Sequence, residues 1–79
     1  MNIAREDFEG LVGRVLNSDP NEKNDDWKKQ IIDSFSLVKA VVIIEEEYNI
    51  EIDLEQFAIH GDMMVEDFIN IVMEFLQSQ

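Results

Sequence analysis

The sequence predicts an all-α fold, a small bundle of three principal helices and one short helix. Three observations carry that expectation. Apolar residues recur at three- and four-residue steps near both ends of the chain, a long central apolar run passes without a turn signal into an acidic cluster, and turn-forming residues gather in one long stretch between them. At 79 residues without a cysteine, the chain is expected to be one domain over residues 1–79, held by packed apolar side chains rather than disulfides.

The first helix is expected over Ala4 to Leu16, where Ala4, Phe8, Leu11, Val12 and Val15 share one face. Gly10 and Gly13 each weaken it by about 1 kcal/mol relative to Ala, so packing must hold it. Asn17 to Lys29 carries Asn, Asp, Ser, Lys and the only Pro without an apolar period, and reads as a surface loop. Trp27 interrupts it, and an aromatic isolated among polar residues is expected to anchor the loop to the core. Asp19 and Asn21 suit the opening ligands of a calcium loop. Lys23, Asn24 and Gln30 then fall where an oxygen ligand, the turn glycine and the closing Glu belong, so no metal site is expected.

Phe35 to Tyr48 contains Leu37, Val38, Ala40, Val41, Val42, Ile43 and Ile44 before Glu45-Glu46-Glu47. A buried strand is the alternative, but the unbroken passage into the acidic cluster favours a helix despite the β-branched residues. At about 100° per residue its apolar positions fall into two arcs. Leu37, Val41, Ile44 and Tyr48 form one, suited to the core. Phe35, Val38 and Val42 form the other, with Lys39, Glu45 and Glu46 around it: an apolar strip with a charged rim, as a docking surface would have, unless the bundle buries both arcs.

Ile50 and Ile52 are expected to drop from a linker into the core. Leu54 to Ile59 is expected to form one or two helical turns, and Gly61 breaks the chain. Val65, Phe68, Ile69, Val72, Phe75 and Leu76 mark the last helix, with Glu66 and Asp67 favouring its first turn.

Eighteen acidic against six basic residues give a net charge of -12, which repels nucleic-acid backbones and anionic lipid and draws in basic protein surfaces. Taken alone, such acidity serves solubility. The beginning of the chain lacks a basic segment followed by an apolar core, and no apolar run reaches spanning length, so a soluble cytoplasmic protein without membrane insertion is expected.

Catalysis needs convergent groups, and the chain offers one His, no Cys and no Gly-rich phosphate loop. His60 beside Gly61 reads as a turn residue. Glu45, Glu46 and Glu47 diverge around a helix and cannot converge on one ion. No catalytic residue is expected. The remaining candidate is Asp33-Ser34-Phe35, just before the long helix. Asp and Ser are common N-caps, and a helix N-terminus with free amides also suits a phosphate ester on Ser34.

Asp33-Ser34-Phe35, the apolar helix from Ser36 to Ile44, Glu45-Glu46-Glu47-Tyr48 and Ile50-Glu51-Ile52 together resemble the acyl carrier protein family in order and spacing. Val65-Glu66-Asp67-Phe68 resembles the start of that family's last helix, so the likeness runs through nearly the whole chain. Phe after the serine is familiar in the family, including in D-alanyl carrier proteins. Ile31 or Ile32 stands where Gly often precedes the motif, Ser36 and Lys39 where acids are usual, and Asp53 where Pro is common. These departures bear on the choice of partner enzymes rather than on the attachment site.

The resemblance implies a stand-alone, monomeric acyl or peptidyl carrier, not an enzyme. Ser34 would receive a covalent 4'-phosphopantetheine arm from a phosphopantetheinyl transferase, with Asp33 shaping the site. The arm's thiol would hold acyl or aminoacyl cargo for fatty acid, polyketide or nonribosomal peptide biosynthesis. Phe35, Val38, Lys39, Val42, Glu45 and Glu46 would meet loading and processing enzymes with basic docking surfaces. The rival is an unmodified acidic helical adaptor on the same fold.

Overall fold

The computed structural model describes residues 2–16, 26–56 and 59–79. Of the loop expected at Asn17 to Lys29, residues 17–25, and with them the Asp19 to Asn24 part of the weighed calcium pattern, lie outside them. Helix α1 runs Arg5–Val15, with Glu6 and Asp7 in its first turn and Arg14 in its last, each sign at the end the helix dipole favours. It buries Phe8, Leu11 and Val12. On its flank the Glu9 carboxylate takes Arg5 Nε at 2.7 Å and Lys28 Nζ at 2.7 Å, the second reaching the next element.

That element is a 3-10 helix, Asp26–Lys29. Trp27 is buried in the core, as its isolation among polar residues suggests, and Lys28 Nζ stands 5.8 Å from the centre of its ring. The chain then runs extended through Ile31 and Ile32, where neighbouring side chains point to opposite sides: Ile32 is buried and Ile31 exposed. Here it pairs with the segment before the last helix through one antiparallel bridge, Ile31 to Met64. The N–H of Ile32 donates to Met63 O at 2.9 Å, that of Asp62 to Ile32 O at 3.0 Å, and that of Val65 to Gln30 O at 2.9 Å.

Helix α2, Ser34–Tyr48, buries Leu37, Val41 and Ile44 of the inner arc read from the sequence, and Ala40 beside them. Tyr48 is half-buried, its ring 6.3 Å from that of Phe8; burial, ahead of the nearby acids Glu47 and Asp7, pushes its phenol above the usual range. Asn49 ends the helix in the left-handed region, φ 54°, a conformation Asn tolerates better than most residues.

Ile52 is buried, with Ile50 packed against the core. Leu54–Gln56 makes turns rather than the helix expected from Leu54 to Ile59, of which Phe57 and Ala58 lie outside the described residues. Asp53 Oδ1 accepts from the N–H groups of Glu55 and Gln56, and the Ile59 N–H closes back on Leu54 O at 2.9 Å. Asp53 thus captures the amides in a local turn. The short helix of the bundle is instead Asp26–Lys29.

Helix α3, Val65–Gln77, buries Val65, Phe68, Ile69, Val72, Met73 and Leu76. It closes the core with α1, α2 and Trp27, and no polar side chain is buried among the described residues. The fold is an all-α bundle of three helices and a 3-10 turn. No described helix is long and apolar enough to cross a membrane.

Candidate functional site: the N-terminus of α2

Asp33 is the N-cap of α2, extended at φ -78° and ψ 163°. Its Oδ1 accepts from the Ser36 N–H at 2.7 Å and its Oδ2 from the Ser36 hydroxyl at 3.2 Å. The Ser36 N–H, opposed by partial desolvation and helped by the Ser36 hydroxyl, the Phe35 amide and the Lys39 charge, holds the Asp33 carboxyl below its ordinary value. One carboxylate thereby fixes both the start of the helix and the side chain of Ser36.

Ser34, the first residue of α2, is exposed. Its hydroxyl has no hydrogen-bond partner among the described residues, unlike that of Ser36. It lies against the α-carbon of Gly61: a Cβ built on Gly61 would collide with Ser34 Oγ and come within 3.3 Å of Ser34 Cβ and 3.4 Å of its Cα. The bridge between the Ile31 and Met64 segments produces this approach, because it ties the chain just before Ser34 to the chain just after Gly61. The sequence marks Gly61 only as a chain breaker. Its nearness to Ser34 is a tertiary fact that no local pattern carries.

Along the outer side of α2, Phe35 is 78% exposed, Val38 54% and Val42 45%, so the bundle buries one arc and leaves the other in solvent. Ile31, on the stretch leading into the helix, is 58% exposed. The sequence marks Ile31 only as a departure from the family motif, and its alternation with Ile32 is the one local signal for its exposure. Lys39 Nζ sits 5.9 Å from the centre of the Phe35 ring. The acids part company: Glu45 turns inward, its Oε2 accepting from the Ile52 N–H at 2.7 Å, while Glu46 stays exposed.

His60 is exposed, with Nδ1 2.7 Å from the Gly61 carbonyl oxygen. Among the described residues no group of three or more His, Asp or Glu side chains converges to hold a metal ion.

A family model described as "Phosphopantetheine attachment site" matches residues 6–61, a span that runs from α1 through α2 to Gly61. Comparison with curated proteins and with solved structures finds no match to the chain. The chain belongs to the phosphopantetheine-attachment family, whose domains are carriers rather than catalysts and bear a covalently attached 4'-phosphopantetheine. The residues at the start of α2 fit such a group: the hydroxyl of an exposed serine stands at the positive end of a helix, packed against the α-carbon of a glycine whose missing side chain would collide with it.

Proposed function

We propose that this chain is an acyl or aminoacyl carrier whose prosthetic arm is esterified to Ser34. The observation that supports this most is the contrast between the two serines. Ser36 is engaged by Asp33 at both its amide and its hydroxyl, whereas the Ser34 hydroxyl is exposed and uncommitted.

In the loading step the Ser34 oxygen attacks the phosphorus of coenzyme A that bears the pantetheine. A Ser34 O–P bond forms, the P–O bond to the departing adenosine bisphosphate breaks, and the hydroxyl proton passes to a base. Among the described residues no side chain hydrogen-bonds the Ser34 hydroxyl to serve as that base: the Asp33 carboxylate is committed to Ser36, and His60 Nδ1 lies 2.7 Å from Gly61 O. The base and any metal therefore belong to a phosphopantetheinyl transferase. Once attached, the arm supplies a thiol that holds cargo as a thioester. The chain's own part is to present Ser34 rigidly: Asp33 caps the helix, and the bridge to Met64 fixes the preceding segment.

Phe35, Val38 and Val42 form the apolar strip on which loading and processing enzymes dock, with Lys39 and Glu46 as its charged rim. Glu45 contributes by bracing Ile52 rather than by facing a partner. The net charge of -12 favours basic partner surfaces and disfavours nucleic acid. Such a carrier works as a cytoplasmic monomer in fatty acid, polyketide or nonribosomal peptide biosynthesis.

Incubation of the wild type with coenzyme A and a broad-specificity transferase should add one arm by intact mass. A folded wild type that gains no mass with several transferases would replace this reading with that of an unmodified adaptor docking through the same strip.

A further inference from the structure

Glycine is usually required where φ is positive, but Gly61 is not in that region. Its own backbone would accept alanine. What a side chain at this position would meet is Ser34, first at the hydroxyl and then at the Cβ and Cα, 3.3 and 3.4 Å away. The hydroxyl could rotate aside, whereas the Cα belongs to the first turn of α2 and moves only with the helix.

The neighbouring residue carries the strain that keeps Gly61 there. Asp62 lies at φ 73°, a left-handed conformation that is unfavourable for a non-glycine residue. Its N–H donates to Ile32 O at 3.0 Å, two residues before Ser34. The turn is therefore pinned to the extended segment that delivers Ser34, and strained backbone of this kind persists where surrounding structure over-determines it.

We propose that Gly61 is a positioning residue for Ser34: its bare α-carbon is the floor that sets the rotamer of the Ser34 hydroxyl, and with it the direction in which the oxygen is offered for modification. The orientation claim concerns this chain alone, while its consequence for loading rests on the carrier reading above. A methyl group at residue 61 forces the oxygen into another staggered well, moving the nucleophile by more than an ångström while leaving the outer strip of α2 in place.

The test compares wild type with Gly61→Ala. Three-bond Hα–Hβ couplings of Ser34 by NMR should shift from one rotamer pattern to another. With coenzyme A and a transferase, Gly61→Ala should lose about 10- to 100-fold in kcat, as an ångström-scale misplacement does, with KM for the carrier within about twofold. Should Gly61→Ala fold poorly, its loss of stability should be relieved in a Ser34→Gly background, where the obstructing side chain is gone; strictly additive effects would overturn the contact. Unchanged couplings in folded Gly61→Ala, or loading at the wild-type rate, would overturn the proposal. A wild type that no transferase loads defeats the carrier reading instead, and the couplings still decide what Gly61 does to Ser34.

Discussion

Helices α2 and α3 are close in length and both apolar, yet they use their surfaces differently. Helix α3 buries Val65, Phe68, Ile69, Val72, Met73 and Leu76, and turns Glu66, Asp67, Asn70, Glu74 and Gln77 to solvent. Helix α2 also buries one face, but its solvent side carries Phe35, Val38 and Val42. Stability explains α3 completely. It does not explain the outer side of α2, because apolar side chains left in water contribute little to folding and add a liability for association. The contrast separates a helix used for packing from one that also keeps a surface for something outside the chain.

The sharpest way to break this contrast is a matched pair of phenylalanines. Phe68 is 0% exposed and Phe35 78%. Phe68→Ala should cost about 3–5 kcal/mol in denaturant unfolding. Phe35→Ala should cost at most about 1 kcal/mol, the worth of an exposed cation–π contact such as the one with Lys39. Similar losses in the two variants would mean that the outer face of α2 is packed in solution and free for nothing.

The adjacent acids sharpen the same point on a smaller scale. Glu45→Ala leaves the Ile52 N–H without its partner and should cost about 1–3 kcal/mol. Glu46→Ala, at an exposed position, should stay within about 0.5 kcal/mol. Equal effects on the melting temperature would remove the bracing role assigned to Glu45.

The two helix starts should differ in their response to acid. Met64, the N-cap of α3, makes no side-chain cap bond, whereas Asp33 caps α2 with a carboxylate whose pKa is lowered in the fold. A depressed folded value means that the stabilisation is present above the ordinary carboxylate value of 3.8 and is lost as pH falls through the lower folded value. The Ser36 amide resonance should therefore titrate below that point with fraying confined to the start of α2. Asp33→Asn, which keeps an acceptor oxygen, should abolish the titration. A Ser36 amide that does not respond to acid in the wild type would contradict the capping assignment.

The smallest expected effect is on partner encounter. Lys39→Glu should leave the fold unchanged and alter the association rate with a cognate enzyme, together with its salt dependence, because rim charges act chiefly on encounter. Stopped-flow rates that match the wild type across several salt concentrations would take Lys39 out of the interface.

Much of this was legible in the residues themselves. The arcs of α2 follow from helical spacing alone: Leu37, Val41 and Ile44 lie inside, and Phe35, Val38 and Val42 outside. The anchoring of Trp27 follows from its isolation among polar residues. What local pattern does not encode is long-range pairing. The Ile31–Met64 bridge joins segments far apart in the chain, and only through it does Gly61 arrive at Ser34. The inward turn of Glu45 depends likewise on where Ile52 comes to lie, and the turns at Leu54–Gln56 on Asp53 capturing nearby amides.

The central claim, that the start of α2 presents one particular serine, is tested most directly by comparing Ser34→Ala with Ser36→Ala. Each variant, folded by circular dichroism, is incubated with coenzyme A and a transferase, weighed intact, and mapped by peptide mass spectrometry. Ser36→Ala should gain one arm on the peptide carrying Ser34, because Ser36 serves only to receive the Asp33 cap. Ser34→Ala should gain none, while changing stability by no more than about 0.5 kcal/mol, because Asp33 rather than Ser34 caps the helix and the Ser34 side chain is exposed. An arm on folded Ser34→Ala would contradict the account.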